Sequence, residues 1–400
     1  MKALFYTREF PPYVYGGAGV HVEYLAGELA KLMQIDVRCF GDQDEKDGNL
    51  SVKGFPFDNA DFDQSNDKLK AVFKTLSTCI HMNAEEVDAD VVHCHTWYAQ
   101  FAGIVAKLCY GIPLVITTHS LEPLRPWKRE QLGRGYDASS WVEKTAIEMA
   151  DAIIAVSEET KVDVLNNFNV DKEKVKVIYN GINLQEYVVT DKSSTLQEYG
   201  IDQSKPFVLF VGRITRQKGI IHLVNAIKYI DPETQIVLCA GAPDTPEIAK
   251  EMEDSVAEVK KYRDNVIWID VMLEKEEVIQ LYSHADVFCC PSIYEPFGII
   301  NIEAMACETA VVASAVGGIK EVVVDGETGI LVHLEQQSEA PFEPVDPEKF
   351  SKDLAEGVNR LIRDKELSVI MAKNGRKRVE ETFDWIAIAK QVEALYKSLI

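Results

Sequence analysis

Phe207-Val208-Leu209-Phe210-Val211-Gly212-Arg213-Ile214-Thr215-Arg216-Gln217-Lys218-Gly219 is the stretch on which the fold turns. Five apolar residues read as a strand buried on both faces, and a glycine with a run of cations follows. Residues 220–229 then read as a helix. A strand that passes through such a turn straight into a helix is the opening unit of a parallel α/β sheet. Downstream, short apolar strands are expected at 235–240, 266–269, 287–290, 310–313 and 329–332, with helices at 246–262, 274–284 and 298–306. Upstream the same alternation has already run once. Strands are expected at 3–6, 35–39, 91–95, 114–118, 152–156 and 175–178. A helix over 20–33 carries Val22, Leu25, Leu29 and Leu32 on one face, and a second covers 68–82. Residues 41–66 are acidic and read as a surface excursion. Residues 182–205 are polar, contain Ser193-Ser194 and stop before Pro206, as a linker does. The chain is helical from 347 onward. The expected fold class is therefore α/β, with two Rossmann-like, doubly wound parallel-sheet domains at 1–185 and 186–383 and a closing helix at 384–400.

Composition narrows the function. Four hundred residues suffice for two domains of ordinary size, and 46% apolar with 26% charged residues is normal for a globular chain. No apolar run reaches the roughly 18 residues that a membrane span needs. Residues 1–6 read as a strand and not as a leader, because Arg8 and Glu9 interrupt them. Eight cysteines without repeating spacing indicate free thiols in a reducing compartment, so a cytoplasmic location is expected. A net charge of −22 argues against nucleic acid and anionic membranes as partners. It also means that any phosphate-bearing ligand must find a local cluster of cations.

Four places could hold such a ligand. Tyr15-Gly16-Gly17-Ala18-Gly19 lies between a strand and a helix, where glycines let backbone amides approach an anion. Its spacing matches neither the dinucleotide fingerprint nor the P-loop. Arg213 can fork onto phosphate oxygens, and Lys218, five residues on, adds a compact second charge. Glu295-Pro296-Phe297-Gly298 leaves a strand and opens a helix, with Glu303 eight positions after Glu295. Glu295 is placed to bond sugar hydroxyls, the amides of Phe297, Gly298 and Ile299 face the same crevice, and Glu303 suits a ribose diol. Thr117-Thr118-His119-Ser120 puts an imidazole just past a strand end. By contrast, His93-Cys94-His95 looks like a metal motif but alternates along a strand, and no partner ligand pair stands nearby at zinc spacing. No metal site is expected there.

Together these motifs resemble glycosyltransferase family 4, retaining enzymes of the GT-B fold. The resemblance rests on Gly16-Gly17-Ala18-Gly19, His119, Arg213 with Lys218, and Glu295 with Glu303, and it covers nearly the whole chain. Longer stretches, Thr7-Arg8-Glu9-Phe10-Pro11-Pro12, His119 through Trp127, and Cys239 through Pro246, resemble the short bacterial glycogen-synthase-type group. Tyr15 departs from the longer glycogen synthases, which carry lysine before the glycine pair. The resemblance implies two domains facing across a cleft and a last helix that returns to the first domain. It implies ADP-glucose as donor, with an α-1,4-glucan or glucose 1-phosphate as acceptor, the latter giving maltose 1-phosphate. A UDP- or GDP-sugar with another acceptor is the alternative. Front-face chemistry with retention and no metal is implied, with His119, Arg213, Lys218 and Glu295 catalytic. Gly17, Phe297, Gly298, Ile299 and Glu303 join the donor site, and Gly16 and Gly19 the acceptor side. Beside His119 lies a cationic island, from which Arg125, Lys128 and Arg129 are expected to bind an acceptor phosphate. Self-association through a face of the first domain is a further expectation.

Overall fold

A computed structural model describes residues 1–56, 62 and 65–400. The chain divides into two compact units, Met1–Gly181 with Trp385–Ile400, and Ile182–Asp384.

In the first unit the strands are β1 (Lys2–Tyr6), β2 (Gln34–Phe40), β3 (Asp44–Asp47), β4 (Leu50–Phe55), β5 (Val91–His95), β6 (Leu114–Thr118), β7 (Ala152–Ala155) and β8 (Val175–Val177). They form one sheet in the order β3-β4-β2-β1-β5-β6-β7-β8, parallel except for the β3–β4 pair. Strand order reverses between β1 and β5, so the crevice for a ligand is expected past their carboxyl ends. β3 and β4 correct the reading of 41–66 as a surface excursion. β3 is exposed and charged throughout, as suits a sheet edge, while β4 hides Val52 and Phe55 within a polar context. The rest of that excursion, residues 57–61, 63 and 64, lies outside the described residues.

Alternation in β5 sends Val92 and Cys94 into one apolar layer. His93 and His95 point the other way, each ring about 5 Å from that of Phe5, at 5.0 and 5.2 Å. The helices Gly17–Ala30 and Trp385–Lys397 pack in this second layer. The last helix contributes Trp385, Ile388, Ala389, Val392 and Tyr396 to it, burial worth roughly 1.5–3 kcal/mol for each larger side chain. The first helix starts at Gly17, three residues before the expected start, and ends before Leu32, which is exposed.

In the second unit β9 (Phe207–Arg213), β10 (Gln235–Gly241), β11 (Val266–Ile269), β12 (Val287–Cys290), β13 (Val311–Ser314) and β14 (Gly329–Val332) form a wholly parallel sheet in the order β11-β10-β9-β12-β13-β14. Its reversal point lies between β9 and β12. The segment read as a linker, 182–205, is in fact packed, because Tyr187, Leu196 and Ile201 are buried among otherwise polar neighbours. No helix among the described residues is long and apolar enough to cross a membrane.

Candidate functional site

The second unit brings its expected residues together. Arg213 ends β9, Lys218 closes the turn after it, and Glu295 sits in the loop after β12, so all three flank the reversal point. Two close approaches hold the β9 and β12 loops together. Gly219 has φ +61°, and a Cβ there would collide with the carbonyl oxygen of Pro291. The amide of Ile293 donates to the carbonyl of Gln217 at 2.9 Å. Across this junction Lys218 Nζ donates to Glu295 Oε2 at 2.6 Å, with side-chain exposures of only 17% and 9%. Burial opposes the Lys218 charge, but the Glu295 carboxylate outweighs it and holds the ammonium above its ordinary pKa. Arg213 Nη1 donates to Asp244 Oδ1 at 3.0 Å. Asp244 follows β10 and was not expected from sequence.

The loop of Glu295 is shaped from behind. Gly317, at φ +49°, lies so close that a Cβ would strike the Glu295 carbonyl, and the amide of Gly318 donates to that carbonyl at 3.0 Å. Phe297 is buried and packs edge-on against Phe383, with centroids 5.7 Å apart. Gly298 adopts φ +98° and caps the helix Ile299–Ala306. Glu303 lies within that helix and accepts from Tyr187 Oη and Tyr282 Oη, both at 3.1 Å. Burial nevertheless raises its carboxyl pKa.

The first unit builds a site of another kind. His119 follows β6, His95 ends β5, and His21 lies in the first helix; nitrogens from the three rings lie within 4.8 Å of one another. His95 Nδ1 and His119 Nε2 are 3.2 Å apart. His21 Nδ1 lies 2.7 Å from Asn180 Oδ1, a carbonyl oxygen that accepts, so the ring proton sits on Nδ1. Burial lowers the His21 pKa to about 4. It also lowers those of His95 and His119 well below the ordinary value, helped by the neighbouring imidazoles. His93 is engaged at both nitrogens, by Tyr396 Oη at 2.5 Å and Thr117 Oγ1 at 2.7 Å. The sequence reading weighed only ligands near His93-Cys94-His95 along the chain; the fold supplies His21 and His119 from 74 residues before and 24 residues after His95.

The glycine loop meets an internal anion. Amides of Tyr15 and Gly16 both donate to Glu9 Oε2 at 2.9 Å. Gly19 is packed against the same side chain, where a Cβ would lie 2.8 Å from Glu9 Oε2, while Gly17 is exposed. The cationic island also carries its own counter-charges. Glu122, fully buried, accepts from Arg125 at 2.6 Å and lies 3.7 Å from Lys128 Nζ. Arg129 pairs with the exposed Asp137. Although burial opposes it, the two cations hold the Glu122 carboxyl below its ordinary pKa. Burial, then the Glu122 charge, push neighbouring Glu143 up to about 8, and its Oε2 accepts from the Glu122 amide at 2.6 Å.

Residues 15–186 match Glycosyltransferase Family 4, and residues 191–378 match Glycosyl transferases group 1. An α-maltose-1-phosphate synthase of Mycolicibacterium smegmatis is 46% identical over 406 residues, covering both chains completely. One from Mycobacterium tuberculosis is 44% identical over 403 residues, again covering both completely. The chain belongs to the family 4 glycosyltransferases, with the GT-B fold. Among solved structures, sucrose-phosphate synthase from Thermosynechococcus elongatus aligns with a TM-score of 0.81 at 24% identity, covering 100% of this chain and 99% of that one. The catalytic domain of starch synthase IV from Arabidopsis thaliana, bound to ADP and acarbose, aligns with a TM-score of 0.73 at 18% identity, covering 99% of this chain and 98% of that one.

For this glycosyltransferase, sequence reasoning missed the carboxylates Glu9, Glu122 and Asp244. It also missed His21, His95 and the Gly317-Gly318 pair. A signal existed for Asp244, which stands in the quoted stretch Cys239 to Pro246. None existed for His21, which looks like any polar residue on an amphipathic helix.

Proposed function

We propose that the chain transfers the glucosyl group of ADP-glucose to glucose 1-phosphate, releasing ADP and forming maltose 1-phosphate with the α configuration kept. The observation that carries the reading is the convergence of Arg213, Lys218 and Glu295 at the reversal point of the second sheet. Two fixed cations there suit a diphosphate, and a carboxylate beside them suits hexose hydroxyls. Identity of 44–46% to maltose-1-phosphate synthases over full length supports the choice of acceptor.

In this reading the bond from the anomeric carbon to the diphosphate oxygen breaks as the acceptor hydroxyl oxygen bonds to the same carbon. The hydroxyl proton passes to the departing diphosphate. Charge growing on that group is met by Arg213 and Lys218, so no metal is called for. Glu295 takes the glucosyl 3- and 4-hydroxyls with the amides near Phe297 and Gly298, His119 takes the 6-hydroxyl, and Glu303 the ribose. A neutral imidazole suits His119, since it both donates and accepts. Arg125 and Lys128, beside Glu122, are the cations this reading offers to the acceptor phosphate. The eight free cysteines, seven of them buried, support a cytoplasmic setting.

A matrix of ADP-, UDP- and GDP-glucose against glucose 1-phosphate and maltooligosaccharides tests the proposal, with products identified by mass and anomeric NMR. Maltose 1-phosphate from ADP-glucose is expected. Elongated oligosaccharides alone would assign glucan elongation instead, and turnover only with UDP- or GDP-glucose would reassign the donor.

A further inference from the structure

We propose that His21, His95 and His119 together bind one divalent cation of the zinc class, and that this ion takes His119 away from the donor sugar. Three side chains from a helix and two strand ends present nitrogens within 4.8 Å of one another. Nitrogens bound to zinc at ~2.0–2.1 Å in a tetrahedron stand about 3.4 Å apart, so the most separated pair needs to draw in by up to ~1.4 Å. The 3.2 Å separation of His95 Nδ1 and His119 Nε2 is already of that size.

Two of these rings carry nitrogens with nothing to bond. Among the described residues, neither His21 Nε2 nor His95 Nε2 has a hydrogen-bond partner, although both rings are buried, at 2% and 0% exposure. A buried polar atom left unpaired costs free energy, and an ion held by His21 Nε2, His95 Nδ1 and His119 Nε2 removes that cost at His21. In His21 the proton is fixed on Nδ1 by the Asn180 carbonyl oxygen, which leaves the lone pair on Nε2. That is the arrangement of a metal-ligating histidine, whose second nitrogen is held by an outer oxygen. His93 shows the contrast, since both of its nitrogens are bonded and it has no ligand atom to offer. Neutral imidazoles favour zinc over magnesium or calcium, which prefer oxygen. His119 alone of the three is partly accessible, so an ion enters from its side and keeps a position open to solvent or an added ligand.

Binding stands apart from the proposed reaction; only the inhibition rests on the role given there to His119. Full-length protein, stripped with chelator and dialysed against zinc chloride, is assayed for metal by mass spectrometry. Cobalt chloride in place of zinc gives a visible spectrum. Substitution of buried His21 or His95 endangers the fold, so the variants are His119→Gln at the accessible edge and Asn180→Ala, with folding checked by circular dichroism. One zinc per chain is expected, with intense cobalt absorption from a site of low coordination number. His119→Gln should remove that absorption, and Asn180→Ala should weaken binding by roughly 10–100-fold. His81→Gln, on an exposed helix position, should leave both unchanged. Less than stoichiometric zinc overturns the proposal, as does zinc bound equally well by both variants. In the transfer assay, zinc should raise the KM for the sugar donor and leave kcat unchanged. Stoichiometric zinc in the same site with no change in that KM keeps the metal site and overturns the inhibition.

Discussion

The first unit keeps its reactive rings neutral, whereas the second keeps its reactive groups charged and pairs each one. His21, His95 and His119 are buried close together, so protonating each is opposed by burial and, at His95 and His119, by the neighbouring imidazoles as well. Lys218 is held as a cation by Glu295, and Arg213 is paired with Asp244. In the proposed reaction the difference matches what each group would meet. A hydroxyl needs a donor and an acceptor without net charge, while a diphosphate needs fixed positive charge. In a chain of net charge −22, that positive charge is held by internal carboxylates. The same solution recurs at Glu9 against the glycine-loop amides and at Glu122 against Arg125 and Lys128.

The contrast can be broken at several points. The largest effect is expected from the cations of the second unit. Arg213→Ala and Lys218→Ala should each lower kcat by about 10²–10³, or about 3–4 kcal/mol of barrier. Near-wild-type turnover in either variant removes the electrostatic reading of that unit.

The next effect belongs to the first unit and runs with pH. His21 has a folded pKa of about 4, below its unfolded value, so between those two values the unfolded chain binds more protons. Stability should therefore fall as the pH drops from about 6.5 toward 4, by about 3 kcal/mol from His21 alone. Denaturant unfolding followed across that range checks the sign. NMR titration of the folded chain should show the His21 ring still neutral at pH 5, and a His21 ring that protonates near pH 6.5 means it is not held neutral.

Removing one partner of the buried pair in the second unit should cost somewhat less. Glu295→Gln leaves the Lys218 ammonium without its counter-charge and should lower unfolding free energy by about 2–3 kcal/mol near neutral pH. Lys218→Met combined with Glu295→Gln should restore part of that loss, because the uncompensated charge is then gone. Failure of the double variant to recover points to packing as the source.

The smallest effect sharpens the comparison most. Asp244→Asn removes a partly exposed counter-charge from Arg213, an interaction worth at most about 1 kcal/mol. ADP should then bind a few-fold more tightly, measured by calorimetry, with kcat little changed. Weaker ADP binding would make Asp244 an orienting group for the guanidinium and not a competitor for it.

Legibility from sequence differed between these regions for a plain reason. Arg213, Lys218, Glu295 and Gly298 lie in two short turns after apolar strands, and strand ends of a parallel sheet are where ligands gather. The histidines come from three separate elements, and alternation in β5 showed only that His93 and His95 share a face. β3 and β4 escaped because charge dominates their composition, and the apolar positions of β4 are few. The polar run at 182–205 looked like a linker because Tyr187, Leu196 and Ile201 are spaced too widely to show periodicity.

What the amino-acid order determined by itself was local. Strand and helix type, two rounds of α/β alternation and the cationic turn after β9 all follow from the spacing of apolar residues and glycines over a dozen positions or fewer. Tertiary structure alone decided which charges are compensated and which nitrogens meet. Those outcomes depend on side chains far apart in the chain arriving within a few ångströms, and only the register of the sheets and the packing of helices upon them sets such distances.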